Sequence, residues 1–247
     1  MTQKIFTYIF ITALMLASSL DIQAQSFGFG CLGLSGFYGG YTQQQYQPDG
    51  INLFAQQNYS GPGLNNIKFQ KGTGFRIGAN IFRAKFDDVF LTVKGFFQFL
   101  KEEHEIDDQV NGGILKNKYQ LSMNHWSVGL DFGFPLFSIV DWKVVEGGVS
   151  IYNSEFDYQT LLNDDQQTEI KISPDKAQLG YYVGSGLIVH LIRDYISIEG
   201  TAAYSFLKID KMSNDAGNLI PVGLSSKKAV EKGGFIGTVQ LNVGFPF

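Results

Sequence analysis

From about residue 28 to the end of the chain, apolar and polar side chains alternate with a period of two, the mark of strands that turn one face each way. Eight runs carry the pattern: 28–42, 73–82, 89–100, 118–134, 142–156, 178–191, 195–207 and 235–247. In the second, Phe75, Ile77, Ala79 and Ile81 share a face opposite Arg76, Gly78 and Asn80. In the fourth, Trp126, Val128, Leu130, Phe132 and Phe134 oppose Ser127, Gly129, Asp131 and Gly133. The last run ends the chain with Val239, Leu241, Val243, Phe245 and Phe247 on one face. Only the first run, "GFGCLGLSGFYGGYT", is blurred in parity by its glycines.

The connections alternate in length. Those at 83–88, 135–141 and 192–194 are short; those at 43–72, 101–117, 157–177 and 208–234 are long and polar. Short turns at one end and long loops at the other predict an all-β fold, an eight-stranded antiparallel up-and-down transmembrane β-barrel. An even strand number brings both chain ends to the short-turn side. Each run also reaches the roughly 9 to 11 residues that a tilted strand needs to cross a bilayer.

The first residues point to export. Lys4 precedes an apolar run, "IFTYIFITALMLASSL", and "IQAQ" offers a cleavage point after Ala24, so residues 1–24 are expected to be a signal peptide and 25–247 the barrel domain. The apolar run falls short of the roughly 20 residues of a membrane-anchor helix. Glycine is abundant, 29 residues, and aromatics make up 15% of the chain, which suits twisted strands with little room on one face. A net charge of −4 excludes the basic surplus of a nucleic-acid binder. Cys31 stands alone, so no internal disulfide forms; it reads as a small strand residue, with a reactive thiol as the alternative.

Charge on the polar faces sharpens the picture. Arg76, Lys94, Asp131, Glu146 and Glu199 lie a few residues from the short turns, which at about 3.3 Å per residue and a tilt near 40° sets them roughly 8 to 15 Å up the wall. A charge facing lipid at that depth costs several kcal/mol, so all five are expected inside, as a lumen charge network. Two readings of it stand: a gated, ion-conducting lumen, or a polar core that fills a narrow barrel. An eight-stranded interior is only wide enough for side chains, which favours the second. Aromatics near both strand ends, with Trp142 and Tyr195 toward the turns and Trp126 toward the loops, predict two interface girdles. An aromatic-rich soluble barrel is the alternative to that reading.

The signal peptide, the eight alternating strands and the final aromatic together resemble the small outer-membrane β-barrels of Gram-negative bacteria, of the OmpA transmembrane-domain and OmpX type, including the broad "porin family". The resemblance spans residues 26–247 and rests on pattern. It implies a cell outer membrane location, outer-membrane lipid as surroundings, and a terminal strand read by the barrel-assembly machinery. Val239, Leu241, Val243, Phe245 and Phe247 match that signal; Pro246 departs from it.

Nothing in the sequence predicts catalysis, a cofactor or a metal. His104, His125 and His190 are scattered, and neither a nucleophile elbow nor a phosphate-binding glycine loop is present. The stretch "NDDQQTE" at 163–169 lacks the ligand spacing of a calcium loop and reads as a solvated acidic loop, as does "KEEHEIDD" around His104. Three functions remain open. The chain is a non-enzymatic barrel, structural or adhesion-type or a subunit of an envelope assembly, with an envelope protein partner met through its loops. Alternatively it is a small pore or ligand-carrying barrel, or a secreted soluble barrel of lipocalin type.

Overall fold

The computed structural model describes residues 35–57, 67–86, 88–193, 195–214, 217, 219–221 and 226–244. The expected signal peptide, Cys31 and the chain end at Phe245 and Phe247 lie outside the described residues. The elements are β1 (Gly36–Gln47), α1 (Asp49–Gln57), β2 (Lys71–Phe86), β3 (Val89–Val110), β4 (Gly113–Phe137), β5 (Val140–Leu162), β6 (Asp165–Ile172), β7 (Gln178–Ile192), β8 (Ile196–Phe206), β9 (Met212–Ser213), β10 (Leu219–Ile220) and β11 (Lys232–Gly244).

Eight of the strands close a ring in the order β1-β2-β3-β4-β5-β7-β8-β11, with every neighbour antiparallel. Closure joins first and last strands over the pairs Gly36↔Gly244 to Gln47↔Lys232. The ring is the expected eight-stranded barrel, and closing it leaves no open edge within its wall. Outward positions are the predicted apolar ones: Phe75, Ile77, Trp126, Val128, Leu187 and Val239 are all exposed. Inward positions are mostly polar and buried in the lower half.

Two of the expected polar loops are strand. Residues 101–110 and 113–117 carry the β3–β4 hairpin on to a turn at Asn111-Gly112. The stretch 157–172 likewise continues β5 into β6, turning at Asn163-Asp164, both at positive φ (53° and 69°) as a tight two-residue hairpin turn requires. Above the ring, β3, β4, β5 and β6 therefore form a four-stranded sheet.

The described parts of the other two expected loops, 43–72 and 208–234, fold inward over the ring. In α1, Ile51, Phe54 and Ala55 fall on one face and are buried. Burying Ile51 and Phe54 contributes about 1.5–3 kcal/mol each. Gly50 lets the helix approach the returning chain: its N–H donates to the Lys228 carbonyl at 2.9 Å, and a Cβ there would lie 2.6 Å from the same oxygen. Asn52 holds residue 69 from both sides, its Oδ1 accepting the Phe69 N–H at 2.7 Å and its Nδ2 donating to the Phe69 carbonyl at 3.1 Å. Ile67, Phe69, Leu207, Ile209, Met212, Ile220 and Val230 complete an apolar core against inward-facing Leu100, Tyr119, Leu121, Met123, Tyr152 and Phe156 of the wall.

Candidate functional site

The barrel interior is layered. At the base of the filled region lies an ion network. Lys94 Nζ reaches Asp131 at 2.9 Å and Glu146 at 2.8 Å; Lys143 Nζ reaches Glu146 at 2.5 Å, Asp131 at 3.2 Å and Glu199 in direct contact. Each of these five residues is at most 5% exposed. Asn242 donates to Glu199 at 3.3 Å and to Ser197 at 3.2 Å, and Gln240 donates to Asn242 at 2.9 Å. Such charges tolerate removal from water only when ion pairing and hydrogen bonds offset the cost, and here the direct lysine–carboxylate contacts supply most of that offset.

Of the five charges predicted for the lumen, Lys94, Asp131, Glu146 and Glu199 come together in the network. Arg76 is buried apart from them. Its Nε donates to Gln98 at 2.8 Å and its guanidinium lies 4.2 Å over the Phe96 ring, with no carboxylate in ion-pair distance among the described residues. Sequence reasoning missed Lys143. Trp142 and Val145 both point outward, three residues apart, which strict alternation forbids. The β5–β7 register shifts between Lys143 and Glu146, a bulge that absorbs the extra residue and turns both of those side chains inward. The parity conflict was the signal. With Lys143 included, three cations (Arg76, Lys94, Lys143) balance three carboxylates.

Asp131, Glu146 and Glu199 bring carboxylate oxygens within 4.8 Å of one another, a spacing that suits a cation. The cations filling it are the chain's own ammonium groups, so the donor set does not fit a metal. Chemically the cluster is a set of buried ion pairs, in which Glu146 Oε1 has no hydrogen-bond partner among the described residues.

Above it sits a layer of rings and hydroxyls. Tyr182 lies flat on the wall because β4 and β5 offer glycine there: a Cβ on Gly129 would come 2.1 Å from its hydroxyl, and one on Gly148 would come 2.8 Å from its ring. The Tyr152 hydroxyl meets Ser205 at 3.3 Å and accepts from Gln44 at 3.4 Å, while its ring leans on His125 at 4.3 Å. Ser127 and Ser150 are joined at 2.6 Å, Thr42 and Thr238 at 3.0 Å.

Over that layer the apolar cap is fastened by Glu102. Its carboxylate accepts the Tyr46 hydroxyl at 2.6 Å, the Gln70 N–H at 3.0 Å and the Lys71 N–H at 2.9 Å, and pairs with His104 at 3.2 Å. The His104 ring packs edge-on against Phe69 at 4.6 Å. Glu102 and His104 are thus fixed parts of the cap, a correction to their reading as a solvated loop. At the opposite mouth Asp141 accepts from His190 at 2.9 Å and from Arg83 at 3.4 Å.

The remaining sequence-predicted positions lie on the outer wall. Trp126 and Tyr195 are exposed, as is Trp142, whose Nε1 donates to Ser185 at 3.1 Å. Val239, Leu241 and Val243 point outward from β11. Phe90, an aromatic at the turn end of β3, faces inward beneath the Arg83 guanidinium at 4.8 Å.

An eight-stranded ring closed by hydrogen bonds, apolar outside and charged within, defines a transmembrane β-barrel. Among solved structures, the attachment invasion locus protein Ail of Yersinia pestis aligns over 87% of this chain and 99% of its own, at 15% identity and a TM-score of 0.39. Neisserial surface protein A aligns over 86% of this chain and 99% of its own, at 14% identity and a TM-score of 0.39. A major outer membrane protein of Thermus thermophilus aligns over 85% of this chain and 100% of its own, at 14% identity and a TM-score of 0.42. No protein-family model and no curated protein matches the sequence.

Proposed function

We propose that this protein is an integral outer-membrane barrel, exported by the segment 1–24, that carries no catalytic activity and acts through its outer half. Its role is structural or adhesive, alone or as a subunit of an envelope assembly. The observation that carries the reading is the filled interior: three layers of buried side chains, ionic, aromatic and apolar, occupy the lumen from Lys143 to Ile51. A polar core of that kind supports a scaffold better than a conduit. Outer-membrane lipid surrounds the apolar wall, and the β3–β6 sheet stands clear as the surface free to meet another envelope protein. Purified folded protein added to a planar lipid bilayer is expected to give no stable conductance; a large, steady channel current from the wild-type chain overturns the proposal.

A further inference from the structure

On five adjacent strands the outward row changes from apolar to polar at the end of the wall remote from the short turns. On β8 the row ends at Phe206, with Lys208 just beyond the strand; on β11 it runs Phe235 then Lys232; on β1, Tyr41 then Gln43, Gln45 and Gln47; on β2, Phe75 then Thr73 and Lys71; on β3, Phe99 then Lys101. Lys232 is paired in register with Gln47, and Lys71 with Gln45, so the glutamines of β1 sit between lysines on both sides along one arc. Lys71, Lys208 and Lys232 are exposed and have no ion-pair partner among the described residues, whereas Lys101 pairs with Glu103 at 2.6 Å. The opposite wall differs. At the same transition β4 presents Asn124 and Ser122, and β5 presents Asn153, Glu155 and Asp157.

We infer that the arc of Lys71, Lys208 and Lys232 is a seat for the phosphate groups of an anionic glycolipid in the outer leaflet, with the intervening glutamines reaching its sugar hydroxyls. Three facts meet here. The lysines begin where the apolar wall ends, at headgroup height. Their charge meets no carboxylate in ion-pair distance among the described residues. The site is continuous with the surface that lipid tails cover, so a lipid reaches it with its tails already solvated. A cation near a membrane surface contributes about 1 kcal/mol, or about fivefold in affinity, at low salt. A basic protein partner would be repelled by the arc and drawn to the acidic side instead.

This rests on the outer-membrane reading above, and its test separates the two. Full-length protein folded in maltoside micelles is titrated at low salt with bisphosphorylated lipid A and, in parallel, with dephosphorylated lipid A. The wild-type chain is expected to prefer the phosphorylated form, and the Lys71→Gln/Lys208→Gln/Lys232→Gln variant to lose roughly a hundredfold of that preference. The Lys→Arg triple variant is expected to restore it, and Lys116→Gln/Lys118→Gln/Lys171→Gln to leave it unchanged. Equal binding of both lipids by wild type, or an equal loss in the second glutamine set, overturns the inference. A band that fails to shift on heating, in a gel of the wild-type protein, strikes the barrel reading itself.

Discussion

Lys143 is the residue on which most of the lumen depends. Its ammonium touches all three carboxylates of the network, while Lys94 touches two. Lys143→Ala leaves Glu199 with Asn242 as its only close donor among the described residues and buries an uncompensated charge, a change that typically costs about 3–5 kcal/mol. The urea midpoint, followed by the heat-modifiable gel shift, is expected to fall accordingly; an unchanged midpoint means that water already screens the cluster. Why this residue escaped the pattern of alternation is physical. A period-two argument assigns faces by counting, and one extra residue between Trp142 and Val145 inverts the count without leaving any compositional trace. Lys94, Asp131 and Glu199 lie on unbroken stretches and Glu146 opens the regular run that follows the bulge, where a charge in an apolar setting is conspicuous. Glu102 was invisible for the opposite reason: in "KEEHEIDD" it is one carboxylate among many, and only the fold brings the Tyr46 hydroxyl and two backbone N–H groups to it.

Among the elements, the hairpins above the ring are where local turn chemistry meets tertiary contact. Asn163 does two jobs. It holds a left-handed backbone, and its side chain ties two hairpin tips together, Oδ1 accepting the Ile114 N–H at 3.0 Å and Nδ2 donating to the Gly112 carbonyl at 2.9 Å. Asn163→Ala is expected to cost about 1–3 kcal/mol locally and to speed hydrogen exchange at the Ile114 amide, with the ring amides unaffected. Exchange unchanged at Ile114 would show that the tips do not depend on this clasp. The same arm predicts opposite pH behaviour on neighbouring carboxyls. Burial, with Glu169 beside it, raises the Asp157 pKa; hydrogen bonds from Lys116 and from Lys171 lower those of Asp164 and Glu169. Asp157 thus opposes folding while ionised, and its penalty is relieved as pH falls through its raised pKa. Asp164 and Glu169 support the fold above the ordinary carboxylate range, and that support is lost as pH falls through their depressed values. Carboxyl-carbon resonances should titrate in the order Asp157 first, then the other two, as acid is added; a common midpoint rules this out. The turn signals Asn111-Gly112 and Asn163-Asp164 were legible in the sequence, yet polar residues on both faces of the flanking strands hid the strands themselves. Above the membrane neither face of a sheet need be apolar.

At the scale of the whole molecule, a closed ring has a consequence that no strand has alone: β11 must find β1 across the full length of the chain before the wall is sealed. The proposed assembly signal includes Val239, Leu241 and Val243 of that closing strand, together with Phe245 and Phe247, which lie outside the described residues. Deleting Phe247 is expected to slow insertion, so that heat-unmodifiable protein accumulates in the periplasm while export continues at the wild-type rate. Insertion at an unaltered rate counts against the signal. Stability of the finished barrel should change little, because the outward positions of β11 contribute through lipid contact and the seam is held by backbone hydrogen bonds from Gly36 to Gln47.

The sequence by itself determined the number of wall strands, which of their faces turns outward, and the presence of a charged interior. These follow from a period of two read over eight to ten residues, and burial in lipid enforces that period on every wall strand. Only the tertiary structure decided three things: that Lys143 completes the charge balance, that two apparent loops are a protruding sheet, and that the described parts of the other two form an apolar cap over the barrel. Each of these depends on residues distant in sequence meeting across the lumen. A bulge, a clasp between hairpin tips and a loop folding back have no periodicity of their own; they exist only once the ring has brought their partners within reach.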